Sequence, residues 1–318
     1  MPSSPAIACD AIEKSFGAVR AVQSLTLNVP EGSVYGILGP NGSGKTTSIR
    51  MMVGIYMPDS GTVTVHGKPV SDETKDGIGY LPEERGLYAK MKVRELLEFF
   101  ARLKGLPAAE SRTRVKQWLA RVELSDWAEK KVNDLSKGMQ QKIQFIVAVI
   151  ADPEILILDE FSSGLDPVNA NLLMEILLEQ RAQGKTILLS THRMEEAERL
   201  CDHVCLINKG RKVLDGRLAS LRAAAGKSTV RVDYTGDPAV LRQAPGVLRT
   251  DDFGNYAELK LAPDAQSPAA VSSLLRFLAP QLSITRFEQL QPTLNQIFLD
   301  TVAATTLGTQ ERAVAARN

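Results

Sequence analysis

The chain has 318 residues, 44% hydrophobic and 24% charged, which is ordinary for a folded globular protein and excludes a disordered, collagen-like or disulfide-stapled one. At roughly 150 residues per domain, the length suggests two domains. Lys and Arg number 38 against 37 Asp and Glu, so the basic excess that wholesale nucleic-acid binding requires is missing and no nucleic-acid partner is expected.

The start reads as strands. Ala6–Ile12 and Ala21–Val29 alternate apolar residues, with turn residues between and after them. Ser33–Leu38 is a short buried-strand pattern that runs into a glycine-rich loop and a helix to about Val53. Gly61–Val65 and Ile78–Leu81 read as further strands. From about Lys92 the period becomes helical: Val93, Leu96, Leu97, Phe100 and Leu103, then Val115, Trp118, Leu119 and Val122. Ser136 is placed as the N-cap of a helix carrying Ile143, Ile146, Val147 and Ile150, so residues 92–151 form a helical insertion. Alternation then resumes with strand Ile155–Leu158, helix Val168–Gln183, strand Thr186–Ser190, helix Met194–Leu200 and strand His203–Asn208. Short apolar strands between helices predict an α/β parallel sheet covered on both faces.

A second unit follows Gly226. Strand Thr229–Tyr234, helix Pro238–Gln243, hairpin Val247–Thr250 with Tyr256–Leu261, helix Pro268–Leu278, strand Leu282–Phe287 and helix Thr293–Val302 give the order of a small ferredoxin-like α+β domain. The expected boundaries are 1–222, 227–303 and a loose tail at 304–318.

Three cysteines (Cys9, Cys201, Cys205) fit a reducing compartment. The first residues lack the basic-then-apolar pattern of a secretory signal. The best apolar run, Ile143–Ala151, is interrupted by Gln144 and is far short of the roughly 18 apolar residues a spanning helix needs. A role at a membrane therefore calls for a partner.

Two motifs carry chemistry. Gly39-Pro40-Asn41-Gly42-Ser43-Gly44-Lys45-Thr46 fits G-x-x-x-x-G-K-[ST] without departure, between a strand and a helix, with Thr47 following. Glycines let backbone N–H groups wrap a polyphosphate, and the helix N-terminus favours the anion. Lys45 supplies charge to the β- and γ-phosphates, and Thr46 a hydroxyl for Mg²⁺. The second motif is the strand Ile155–Leu158 ending in Asp159 and Glu160, where ligands of open α/β sheets bind. Asp159 suits the metal's water shell, and Glu160 suits a general base acting on water.

Between and beyond them stand Leu135-Ser136-Lys137-Gly138-Met139-Gln140, Ser163-Gly164-Leu165-Asp166-Pro167 and Ser190-Thr191-His192-Arg193-Met194. With these motifs in order, residues 5–215 resemble the ATP-binding subunit of ABC transporters. The stretch Gly79–Tyr88 and the C-terminal unit are most similar to the ABC-2-type export ATPases, which include sodium-extrusion and drug-export ATPases. The resemblance implies a P-loop NTPase fold with a RecA-like parallel sheet, an N-terminal antiparallel β subdomain and the helical insertion. It implies ATP and Mg²⁺ as ligands, with Phe16 stacking on adenine and Gly39–Thr46 holding phosphate. Glu83 falls at the Q-loop position and, with Thr46 and Asp159, near the metal. Ser136 and Gly138 would contact nucleotide held by an opposite subunit, and Asp166 would cross that interface. Glu160 would be the base and His192 the switch histidine. The implied partners are a second copy of the chain and a transmembrane permease docking near Glu84–Phe100, on the cytoplasmic side of the inner membrane. An ABC-type ATPase acting on a non-membrane macromolecule is the alternative, disfavoured by a single phosphate loop and the absence of a long heptad run.

The sequence departs from the family pattern in four places. Lys137 and Met139 alter the signature, Glu83 replaces Gln, and Phe161 replaces Pro. A carboxylate at position 83 binds Mg²⁺ more strongly but repels phosphate, so altered metal affinity or coupling is expected. Other eye-catching residues read as ordinary. Cys201 and Cys205 are core thiols, His66 lies in an exposed turn, Trp118 and Trp127 pack the helical insertion, and Glu195, Glu196, Glu198 and Arg199 form a solvated helix face.

Overall fold

Ile7–Phe16 (β1) and Val19–Val29 (β2) pair antiparallel, from Ile7 opposite Val29 to Phe16 opposite Val19. The computed structural model to which they belong describes residues 5–84, 86–299 and 301. The chain forms two compact units, Met1–Gly216 and Arg217–Asn318.

In the first unit, Val34–Leu38 (β3) leads to Lys45–Met52 (α1), and Ser60–Val65 (β4) and Lys68–Pro69 (β5) complete a four-stranded sheet in the order β2-β1-β4-β5. Asp72–Asp76 (α2) precedes Ile78–Leu81 (β6). Val93–Leu103 (α3), Ala108–Arg121 (α4) and Lys137–Val149 (α5) are the helices of the expected insertion. Ile155–Asp159 (β7), Pro167–Ala182 (α6), Thr186–Thr191 (β8), Met194–Leu200 (α7), His203–Asn208 (β9) and Arg211–Arg217 (β10) follow.

The second sheet has the order β10-β9-β3-β8-β7-β6. Strands β9, β3, β8, β7 and β6 run parallel, and every residue of β3, β7 and β8 is buried, as strands covered on both faces must be. The N-terminal sheet and the parallel sheet share one core, into which α1 inserts Ile49, Met51 and Met52. Register fixes what meets at the carboxyl edge: Leu38 lies beside Thr191, Asp159 beside Ser190, and Leu81 beside Leu158. The residues that follow these strands therefore emerge on one edge.

In the second unit, Leu218–Ala225 (α8) precedes Thr229–Thr235 (β11), Ala239–Arg242 (α9), Val247–Asp252 (β12), Tyr256–Leu261 (β13), Pro268–Leu278 (α10) and Ser283–Leu290 (β14). The sheet order β12-β13-β11-β14 is the ferredoxin-like one expected. Val230, Val232 and Tyr234 alternate inward and pack with Leu241 of α9 and Leu274 and Leu278 of α10. Residues 294–299 are helical, within the expected 293–302. Val302 and the expected tail at 304–318 lie outside the described residues.

The differences have local reasons. The units meet at Gly216/Arg217 rather than at 222–227, because Leu218–Ala225, whose alanines favour helix, forms α8 at the start of the second unit. Strand β10 escaped the pattern because Arg211-Lys-Val-Leu-Asp-Gly-Arg217 is polar and lies at the sheet edge. On α3, Leu103 was placed on the apolar stripe but is 68% exposed. No helix among the described residues is long and apolar enough to cross a membrane.

Candidate nucleotide site

The glycine-rich loop leaves β3 and enters α1 through backbone that only glycine adopts easily: φ is 151° at Gly39, 73° at Gly42 and 107° at Gly44. A Cβ on Gly39 would stand 2.2 Å from the Ile207 carbonyl oxygen, so two conditions exclude a side chain there. The loop folds around Lys45, whose buried Nζ donates to the carbonyls of Gly39 at 2.9 Å and Pro40 at 3.3 Å. Beside it opens a cleft of about 500 Å³, lined by Asn41, Gly42, Gly44, Lys45, Thr46 and Thr47 of the loop. Glu83, Glu160, Ala18 with Val19, Arg20, Ala21 and Gln23 of β2, and Lys209-Gly210 complete the walls.

The acidic pair sits beneath. Asp159, fully buried, accepts a hydrogen bond from the Ser190 hydroxyl on Oδ1, while Oδ2 has no hydrogen-bond partner. Burial pushes its carboxyl above the ordinary carboxylate value, with the Ser190 hydroxyl pulling the other way. Glu160 has φ of 53°, a left-handed turn rare for a side-chain-bearing residue. Ser190 holds that turn, since its carbonyl and hydroxyl oxygens accept from the Glu160 N–H at 3.2 and 3.1 Å. The buried Glu160 carboxylate lies 3.5 Å from Lys45 Nζ and 2.9 Å from His192 Nδ1. The Thr46 hydroxyl donates to Glu83 Oε2 at 3.2 Å.

Lys45, Thr46, Glu83, Asp159, Glu160 and His192 are thus brought together. Of the other expected residues, Ser136, Gly138 and Asp166 do not line the cleft, and Phe16 borders it. Phe16 stands opposite the wall residue Val19 on the neighbouring strand; its ring is 45% exposed and meets the edge of Tyr56 at 5.5 Å. Ser136 caps α5, its exposed Oγ accepting from Met139 N–H at 3.2 Å. Gly138 faces Gly164 and Leu165, so the signature and the Asp166 segment are neighbours within one chain. Asp166 caps α6 through the N–H groups of Val168 and Asn169, which with the Asn169 amide hold its carboxyl below the usual range.

Several supporting residues were not foreseen. Ser190 and Gln144 are two: Gln144 of α5 donates to the carbonyls of Pro82 and Glu84, on either side of Glu83. Gln141 donates to the carbonyl of Phe161 at 2.9 Å, and the Phe161 ring that stands in place of proline is fully buried. Glu196 corrects an expectation. It is not part of a solvated face but buried, bonded to Ser162, Thr191 and Arg193, because α7 packs that flank against the ends of β7 and β8. Only these tertiary partners distinguish it from Glu195. Cys9, Cys201 and Cys205 are buried free thiols, and no cluster among the described residues is arranged to hold a metal through His, Cys and carboxylates.

A phosphate loop following β3, with paired carboxylates at the end of β7 two strands away in the same parallel sheet, defines a P-loop NTPase. Residues 22–163 match the ABC transporter family, and residues 216–302 match the C-terminal domain of DrrA1-3-like ATP-binding proteins. The uncharacterized ABC transporter ATP-binding protein YhaQ of Bacillus subtilis is 42% identical over 93% of this chain and 98% of its own length. Nod factor export ATP-binding protein I of Paraburkholderia xenovorans is 40% identical over 78% of this chain and 84% of its own. A solved ATP-binding subunit of an ABC transporter superposes with a TM-score of 0.65 at 31% identity, covering 69% of this chain and 92% of that one. The chain belongs to the ATP-binding subunits of ABC transporters, ATPases that couple hydrolysis to transport.

Proposed function

We propose that two copies of this chain close around ATP and drive export through a separate membrane permease, with the chain held peripherally on the cytoplasmic face. The observation carrying this reading is the separation just described: Ser136, Gly138 and Asp166 do not line the cleft that Lys45 and Glu160 line. A second copy turned head to tail would bring its exposed Ser136 to the phosphates, completing each site with the other's α5.

Within each site Lys45 and the loop bind the phosphates. Mg²⁺ suits the donor set of Thr46, Asp159 and Glu83, all hard oxygens, and the buried Asp159 Oδ2 without a partner fits a role toward the metal's shell. When bound, the ion would neutralise charge on the β- and γ-phosphates. Glu160 accepts the proton of the attacking water, and His192 orients its carboxylate. Hydrolysis weakens the contact between copies, and the difference in affinity between closed and open pairs does the work.

Export follows from the likeness to the Nod factor exporter's ATP-binding protein. The permease reading draws on Tyr88, Phe99 and Phe100, whose rings cluster at 5.4–6.1 Å with Tyr88 and Phe99 exposed. Such a patch favours a protein partner. Glu160→Gln is expected to abolish hydrolysis and, with MgATP, to accumulate as a dimer in light scattering. A variant that binds ATP yet stays monomeric would sink the pairing, and undiminished hydrolysis would remove Glu160 as the base.

A further inference from the structure

Glu196 Oε1 accepts from Ser162 Oγ at 2.7 Å and Arg193 Nη1 at 2.9 Å, while Oε2 accepts from Ser162 Oγ at 2.9 Å and Thr191 Oγ1 at 3.1 Å. The side chain is 9% exposed. Thr191 Oγ1 in turn accepts from the Arg193 N–H at 3.0 Å. Thr191 and Arg193 are the two residues flanking His192, and Ser162 lies two residues beyond Glu160. One buried carboxylate therefore grips both sides of the histidine and the segment that follows the glutamate.

A buried charge is costly unless donors converge on it. An apolar residue would pack α7 against the sheet without that cost, so the convergence points to orientation rather than adhesion. His192 needs such help: its ring is 48% exposed and it reaches Glu160 across two strand ends. We propose that Glu196 is a positioning residue, holding His192 on Glu160 for hydrolysis. The inference rests on the reading that Glu160 and His192 act in that reaction.

Glu196→Gln keeps the shape but replaces one acceptor with an NH₂ donor, which turns toward a hydroxyl or the Arg193 guanidinium. In the full-length protein it is expected to lower kcat by about 10- to 100-fold, the cost of a small misplacement. KM for MgATP should stay within about twofold, as loss of a transition-state interaction requires. The chain has 3 histidines, so imidazole resonances are few and His192 is assignable by substitution. In Glu196→Gln the His192 ring signals should shift or broaden while those of His66 and His203 stay. Thr191→Val and Ser162→Ala, each removing one donor, carry the same expectation if Glu196→Gln does not fold. Glu160→Gln is measured alongside. An inactive Glu160→Gln with Glu196→Gln at parental kcat overturns the inference but not the hydrolytic reading. An active Glu160→Gln overturns that reading, and the His192 resonances still decide whether Glu196 positions the ring: unmoved signals reject it.

Discussion

The Lys45 ammonium and the Glu160 carboxylate stand 3.5 Å apart, both with side chains less than a tenth exposed. A triphosphate entering the loop must therefore compete with Glu160 for the charge that binds it. Neutralising the carboxylate removes this competitor along with its like-charge repulsion. Glu160→Gln is expected to bind ATP about 3- to 10-fold more tightly than the parent in EDTA, half to one decade by the rule of about 1.4 kcal/mol per decade. Equal dissociation constants by titration calorimetry would show that the pair does not oppose binding.

Asp159 is held above its ordinary carboxyl value of 3.8 by burial. The folded chain thus binds its proton more readily than the unfolded chain. Stability falls as pH rises through the window between the unfolded and the higher folded value, and stays lowered above it. Asp159→Asn removes that cost and can still accept from Ser190. Its thermal midpoint, measured without nucleotide or metal at pH 7, should exceed the parent's by about 2–4 °C for each kcal/mol relieved. The gain should shrink toward pH 4. A midpoint below the parent's at pH 7 would contradict this account.

Glu83 takes the Thr46 hydroxyl as its donor, so the replacement for the family's Gln lies against the loop rather than apart from it. Glu83→Gln removes a charged oxygen from the donor set offered to Mg²⁺. The Mg²⁺ concentration for half-maximal ATPase should rise by about threefold or more, in keeping with the preference of this ion for carboxylate. Superimposable Mg²⁺ titrations would leave the substitution without consequence.

Much of this site was legible because it depends on local patterns. The apolar run Ile155–Leu158 and the carboxylates behind it read as a strand delivering charge to the sheet edge. The bounds of β6, α7 and β9 agree with expectation, the two strands being short apolar runs set off by polar or turn residues. What could not be read was the facing of polar side chains. In Met194-Glu195-Glu196-Ala197-Glu198-Arg199 nothing local separates Glu196 from its neighbours, and its burial is decided by Ser162, in the turn after β7, and Thr191, the last residue of β8. The left-handed turn at Glu160 was equally hidden, since Ser190 secures it from 30 positions away.

Gln144 has a mechanical meaning. Its amide clasps the carbonyls of Pro82 and Glu84 at 2.8 and 3.2 Å, while eight residues earlier the same helix starts at Ser136. Any tilt of that rod must either drag the carboxylate of Glu83 with it or snap both tethers. The end of the helix offered outward and the acid beside Thr46 are consequently geared, like two teeth on a common shaft.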